Sequence, residues 1–345
     1  MHTSRRQFLA QTAACSAAAS LSAFPLLGGT ASADERSADR CGANDSSKKE
    51  NGMLIIDTHQ HLWNLDQLRL PWLKGAPEVL RHHFGPKEYA QAVAGLNVKA
   101  IYMEVDVDTG DHDKEADYVV GLARGGKDHT IAATIGGRPA SADFEKYVAR
   151  HVAGGFVKGV RQVLHNPESP RGACLEPDFV RGVTALGKQG LSFDLCMRPG
   201  ELLDGLKLSE KCPDTRFVVD HCGNADPKAF DKKLAGDEKP EHEVDPWRRD
   251  MEALSKRPNV ICKISGIVAR APSGWKPEHL APIVNHCLDS FGPDRVVFGG
   301  DWPVCLLGSP LRNWIEALRQ IVSNRSEADQ KKLWSENAKK FYRLA

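Results

Sequence analysis

Apolar residues along this chain follow two alternating rhythms. Short runs rich in Val and Ile, apolar at nearly every position, recur at 54–57, 100–105, 131–135, 157–164, 191–197, 217–219, 260–264 and 295–299. A run without polar alternation suits a strand covered on both faces, as in a parallel sheet. Between the runs the apolar spacing changes to that of a helix face. Phe179, Val180, Val183 and Leu186 show it, as do Trp247, Met251 and Leu254, and Leu280, Ile283, Val284 and Cys287. The last helical stretch opens with Ser326-x-x-Asp329, a start of the capping-box kind. Eight strand–helix units in series predict a closed barrel or an open doubly wound sheet. No G-x-G-x-x-G follows the first run, so the open sheet lacks its dinucleotide signature. The expected fold class is α/β, a (β/α)8 TIM barrel over 53–345, somewhat longer than the roughly 250 residues typical of one.

The chain before the barrel has a different pattern. Ser4-Arg5-Arg6-Gln7-Phe8-Leu9 is a twin-arginine pattern, 10–29 is rich in Ala, Ser and Leu, and Ala31-Ser32-Ala33 offers a cleavage site. Residues 1–33 are therefore expected to be a signal read by the twin-arginine export machinery, which makes the mature protein periplasmic or secreted. Gln11, several Ser and Pro25 interrupt the apolar region too often for a spanning helix, and no integral membrane segment is expected after processing. Residues 34–52 carry no aliphatic or aromatic side chain larger than Ala and read as a polar linker.

Composition narrows the function class without naming one. Hydrophobic residues make up 41% and charged residues 26%, which is ordinary for a folded domain. Lys and Arg number 46 against 45 Asp and Glu, and no long basic run appears, so no nucleic-acid partner is expected. A small molecule is the expected partner, and homo-oligomerisation stays open. Cys41, Cys174, Cys196, Cys212, Cys222, Cys262, Cys287 and Cys305 show no C-x-x-C pair, and several lie in apolar runs. They read as mostly reduced core residues.

In a barrel the chemistry sits beyond the C-terminal ends of the strands. The first run leads into Asp57-Thr58-His59-Gln60-His61, where two imidazoles two residues apart face the same way and form half a divalent-metal site. A chance His-x-His is the plainer alternative. The sixth run ends in Asp220-His221-Cys222-Gly223, with His221 in the parity of Phe217 and Val219. The eighth ends in Gly299-Gly300-Asp301-Trp302-Pro303. Asp301 would deprotonate a water or hold one on a metal, or else cap a helix. Lys158, Arg161 and His165 lie on or after the fourth run, Arg198 after the fifth, and Lys263 with Ser265 on the seventh. A Lys in such a run needs an anion. These cations would clamp a substrate oxygen or balance Asp194, Asp220 or Glu104. Phosphate-loop, G-x-S-x-G and H-E-x-x-H patterns are all absent or broken. The charged stretch 225–245 lacks an apolar stripe and reads as a solvated insertion in preference to a lid.

Taken together, Ile56-Asp57-Thr58-His59-Gln60-His61-Leu62-Trp63, Leu70-Pro71-Trp72-Leu73, Lys158-Gly159-Val160-Arg161, Phe193-Asp194-Leu195-Cys196, Val219-Asp220-His221-Cys222-Gly223, Cys262-Lys263-Ile264-Ser265-Gly266 and Phe298-Gly299-Gly300-Asp301-Trp302-Pro303-Val304-Cys305 resemble the amidohydrolase-related family. The likeness runs from Met53 onward and is strongest to the branch of sugar lactonases acting on L-rhamnono- or L-fucono-lactones. It implies a (β/α)8 barrel with His59, His61, His221 and Asp301 as metal ligands, Asp301 and His221 as catalytic groups, and Arg161, Lys263, His165 and Trp302 as substrate-binding residues. Many relatives place a metal-ligating His on the fifth strand. Asp194 and Cys196 stand there instead, so the resemblance implies one divalent ion, Zn²⁺ first among candidates, and not two. The expected reaction is opening of a sugar-derived lactone with Asp301 as general base. A non-oxidative decarboxylase of an aromatic or muconate-type acid is the alternative on the same scaffold, and an exported non-catalytic binding protein ranks below both.

Overall fold

A computed structural model describes residues 52–344. Each of the eight apolar runs overlaps one strand: β1 (Ile55–Gln60), β2 (Val98–Met103), β3 (Thr130–Gly136), β4 (Val157–Arg161), β5 (Ser192–Leu195), β6 (Arg216–Val219), β7 (Val260–Ile264) and β8 (Val296–Phe298). The strands pair in parallel and in sequence order. This is the (β/α)8 barrel, and residues 1–33 and most of the linker lie outside the described residues. The predicted helical faces fall on Pro177–Lys188, Val244–Ser255 and Pro277–Phe291. Ser326 Oγ accepts from the Asp329 N–H at 3.1 Å and starts helix Glu327–Lys331.

The last seam is closed differently from the others. Instead of a regular ladder, β8 and β1 share one bridge between Gln60 and Trp302. Around it the His61 N–H donates to the Trp302 carbonyl at 2.7 Å and the Asp301 N–H to the His59 carbonyl at 2.8 Å. The Thr58 hydroxyl donates to the Phe298 carbonyl at 2.7 Å. Two side-chain layers result. Val219, Phe298, Ile264 and most other apolar strand residues pack outward against the helices. Ile56, Ile101, Ala132, Val218, Ile261 and Val297 point into the lumen, and Ala338 and Tyr342 of the C-terminal helix Asn337–Tyr342 cover them from below.

β1 carries an irregularity that matters for the site. Asp57 pairs with Ala100 and Gln60 with Tyr102, so three steps on β1 match two on β2. Such a bulge reverses the side-chain parity along a strand. It lets Ile56 face the lumen near the bottom and His59 and His61 face it at the top.

Among the described residues no helix is long and apolar enough to cross a membrane. Seven cysteines, from Cys174 to Cys305, are buried and unpaired.

Candidate active site

The polar ends of β1, β6 and β8 meet above the apolar floor. His59 is fully buried, with ring centroids of His61 and His221 at 4.8 and 4.4 Å. Asp301 Oδ1 lies 3.4 Å from His61 Nε2 and 3.7 Å from His59 Nε2. The helix-cap alternative for Asp301 is not what the fold uses. The short helix Val304–Leu307 takes Pro303 at its N-cap, and the Asp301 carboxylate faces the histidines.

Backbone geometry aims these groups. Asp301 has φ of +54° and His221 also +54°, followed by Cys222 at +52° and Asn224 at +54°. Non-glycine residues in this region are strained, by about 1–3 kcal/mol each, and such strain collects at functional sites. At His221 the effect is concrete. Phe217 and Val219, which share its parity, pack outward, and the left-handed turn redirects His221 inward. There its Nδ1 lies 3.0 Å from Ser265 Oγ. Gly266 leaves room for the ring, since a Cβ there would meet His221 Nδ1 at 2.2 Å.

Beneath the histidines lies a buried ion network. Lys263 Nζ donates to Asp194 Oδ2 at 2.7 Å and to Asp220 Oδ1 at 2.8 Å, and lies 3.3 Å from His59 Nδ1. Arg161 Nε donates to Glu104 Oε1 at 2.6 Å and Nη2 to the Glu104 carbonyl at 2.7 Å. Its Nη1 lies 3.2 Å from His59 Nε2 and 3.4 Å from Asp220 Oδ2. Both cations, expected to hold substrate, are thus paired with the carboxylates weighed as their alternative partners. Arg161 turns Nη1 to the site, whereas Lys263 is wholly buried under His59.

These surroundings decide protonation. Burial lowers His59 well below the usual imidazole value, and Lys263, His221, His61 and Arg161 lower it further. Burial also lowers His221. Both are neutral bases near pH 7. Burial raises Asp194 to about 7 against the pull of Lys263. Lys263 itself is raised, because Asp194 and Asp220 outweigh its burial.

The remaining expected residues take varied places. His165 is half-buried, its Nδ1 3.4 Å from Cys196 Sγ. The Trp302 ring packs edge-on to Phe84 and Tyr89 at 5.3 and 5.4 Å, and its carbonyl accepts the His61 N–H in the barrel seam. Lys158 points to the opposite end, where Nζ donates to the Arg343 carbonyl at 3.2 Å. Arg198 pairs with Glu201 at 2.9 Å and holds the loop after β4 through the Ser169 carbonyl at 3.1 Å. The 225–245 stretch is tied at its base, where Asp226 Oδ2 accepts from the Glu241 N–H at 3.0 Å.

Sequence reasoning passed over Asp57. Its Oδ1 accepts the His59 N–H at 3.0 Å and the Gly300 N–H at 2.6 Å, and Oδ2 accepts the Tyr89 hydroxyl at 2.8 Å. A carboxylate inside an apolar strand was the available signal.

A divalent ion fits the donor set. His59, His61 and Asp301 offer ligand atoms within 4.8 Å of one another, as do His59, Asp220 and His221. His61 Nδ1 lies 2.9 Å from the Met103 carbonyl and donates to it, which leaves the Nε2 lone pair for the site. Arg161 competes for His59 Nε2.

The amidohydrolase family model matches residues 56–344. The chain belongs to that family. It is a hydrolase. A protein of Burkholderia multivorans named L-fucono-1,5-lactonase is 27% identical over 304 residues, covering 85% of this chain and 97% of that one. The crystal structure of an amidohydrolase from the same species with bound zinc superposes with a TM-score of 0.73 at 26% identity, covering 85% and 100% of the two chains. A manganese-bound 5-carboxyvanillate decarboxylase from Novosphingobium aromaticivorans shares the fold, with a TM-score of 0.58 at 15% identity over 86% of this chain and 97% of that one.

Proposed function

We propose that this hydrolase opens a sugar-derived lactone, with Asp301 as general base. The observation that carries the reading is the Asp301 carboxylate set against His61 and His59 at 3.4 and 3.7 Å, at the mouth of the barrel. A water held between Asp301 and His61 loses its proton to Asp301 as its oxygen adds to the lactone carbonyl. Arg161 Nη1 faces the same space and stabilises the oxyanion that forms. The tetrahedral species collapses by breaking the bond from the carbonyl carbon to the ring oxygen. Asp301 returns its proton to that oxygen, and the product is a hydroxy acid. His221, neutral and fixed by Ser265, donates or accepts at the substrate from the β6 side. His59, His61, His221 and Asp301 would hold a divalent ion, Zn²⁺ by donor type, which when bound supplies Lewis-acid polarisation of the carbonyl.

The test is acid release, followed by a pH indicator, from a panel of aldonolactones with wild type and Asp301→Asn. Wild type is expected well above the spontaneous rate, and the variant lower by about 10³-fold or more in kcat with an unchanged melting temperature. Carbon dioxide release from carboxylated aromatics, with every lactone inert, overturns the reading in favour of a decarboxylase. Ligand binding unaltered by Asp301→Asn, with no turnover of anything, favours a binding protein. The twin-arginine pattern supports a second element of the proposal, that the enzyme works outside the cytoplasm. Fractionation of cells with Arg5-Arg6 intact or changed to Lys-Lys checks it.

A further inference from the structure

Past β2 the chain runs Glu104-Val105-Asp106-Val107. The Val105 carbonyl accepts the Trp72 indole N–H at 2.8 Å, and the Asp106 N–H donates to Glu104 Oε2 at 2.6 Å. The peptide between Val105 and Asp106 is thus held at both of its polar ends. Glu104 is held at both carboxylate oxygens, because Arg161 Nε donates to the other one at 2.6 Å. Asp106 leaves that peptide at φ of +50°, in the same strained region as His221 and Asp301. Its carboxylate turns to two neighbouring loops. Oδ2 accepts the Asn166 amide N–H at 2.6 Å, and Oδ1 pairs with Arg138 Nη2 at 3.4 Å. The chain beyond is fixed as well, with Val107 buried and the Asp108 N–H on the Arg69 carbonyl at 2.8 Å. A strained φ persists only where anchors on both sides hold it. Here Glu104 holds the N–H, and Arg138 and Asn166 hold the carboxylate. Loss of the carboxylate anchors lets the strain relax, and with the onward chain fixed it is the 105–106 peptide that rotates.

We propose that Asp106 is a positioning residue for Arg161. Its anchored left-handed turn keeps the 105–106 N–H closed on Glu104, and Glu104, gripped at both oxygens, fixes the guanidinium with Nη1 at 3.2 Å from His59 Nε2. A displacement near 1 Å at such a group costs on the order of 10²-fold in rate. The role in turnover rests on the reading above, in which Arg161 stabilises the oxyanion.

Two measurements test it, and the first needs no substrate. The Arg161 Nε–H gives an arginine side-chain NMR signal, identified by its loss in Arg161→Lys. Glycine adopts a positive φ without anchors, and asparagine tolerates one and keeps an oxygen for Asn166. Valine does neither. Exchange of that proton with water is expected to stay slow in Asp106→Gly and Asp106→Asn and to quicken about 10-fold or more in Asp106→Val. If Asp106→Val does not fold, Asp106→Ala takes its place. Equal exchange in the glycine and valine variants, fast or slow alike, overturns the proposal. Kinetics on an aldonolactone are the second measurement. Asp106→Val is expected to lower kcat about 10- to 100-fold with KM within about 3-fold, and Asp106→Asn to restore most of it. Combined with Arg161→Lys, Asp106→Val should cost less than about 2-fold more, since both act through one group. A full second loss overturns the path through Arg161. If wild type opens no lactone, the lactonase reading has failed, and the exchange measurement still decides what Asp106 does to Arg161.

Discussion

Along β6 and β7 the inward side chains are Val218 and Ile261, and two residues further up they are Asp220 and Lys263. The same step on β5 goes from Ser192 to Asp194, on β4 from Gly159 to Arg161, and on β8 from Val297 to Gly299. One lumen thus holds an apolar floor and a charged storey directly above it. The floor owes its stability to close packing and tolerates changes that keep volume. The storey rests on buried apolar side chains, with Tyr342 and Ala338 packed against the floor beneath it. Each charge there must find a partner of opposite sign, and Lys263 uses Asp194 and Asp220 together. Gly299 is part of the same arrangement, since a Cβ there would meet His59 and Ser265 Cβ at 2.9 Å and Lys263 Cδ at 3.2 Å. Burial with different chemistry gives the two layers opposite sensitivities.

The strongest way to break the comparison is to carry the floor's chemistry into the storey. Lys263→Met leaves Asp194 and Asp220 buried with one cation fewer and should cost about 3–5 kcal/mol in urea unfolding. A loss below 1 kcal/mol would mean that water enters the network.

A smaller effect sharpens the contrast with the outer layer, where Glu115 is buried without a cation of its own. Its Oε1 accepts the Tyr102 hydroxyl at 2.8 Å and the Val105 N–H at 2.7 Å. Burial, then Glu104, raises it from the ordinary 4.5 to about 8. Between those values the folded protein holds a proton that the unfolded chain has released, so stability falls as pH rises through this window. The ceiling on that slope is about 1.4 kcal/mol per pH unit. Glu115→Gln should match wild type near pH 5 and exceed it by up to about 3–4 kcal/mol at pH 8. Parallel stability curves would exclude a buried proton at Glu115.

The smallest change belongs to the floor. Ile101→Val removes one methylene from a fully buried lumen position and should cost about 0.5–1.5 kcal/mol. Its kcat and KM should equal those of wild type, which separates the packing layer from the chemical one.

The fold was largely legible because its signal is periodic. Eight near-continuous apolar runs separated by helix-spaced faces leave few architectures, and each run overlaps one strand. Boundaries were less so. The fourth and fifth runs extend to 164 and 197, whereas β4 stops at Arg161 and β5 at Leu195. Beyond those points the chain enters the loops that carry His165 and Cys196. In the site, His59, His61 and Asp301 were legible because polar residues at strand ends stand out. His221 was found by its position, yet its parity pointed the wrong way. Asp57 was passed over because its role depends on partners more than thirty residues away, Tyr89 and Gly300.

The sequence by itself determined the number and order of the strands, the end of the barrel that carries chemistry, and the residue types available there. Those follow from hydrophobic period and from the cost of leaving polar groups in apolar strands, both of which are local. Only the tertiary structure decided which way the groups face and what each is paired with. The bulge between Asp57 and Gln60 and the left-handed turns at His221 and Asp301 direct side chains through single backbone dihedrals, which no period records. The pairing of Lys263 with Asp194 and Asp220, and of Arg161 with Glu104, arises where five strands converge. Burial there makes each charge's protonation depend on neighbours distant in the chain.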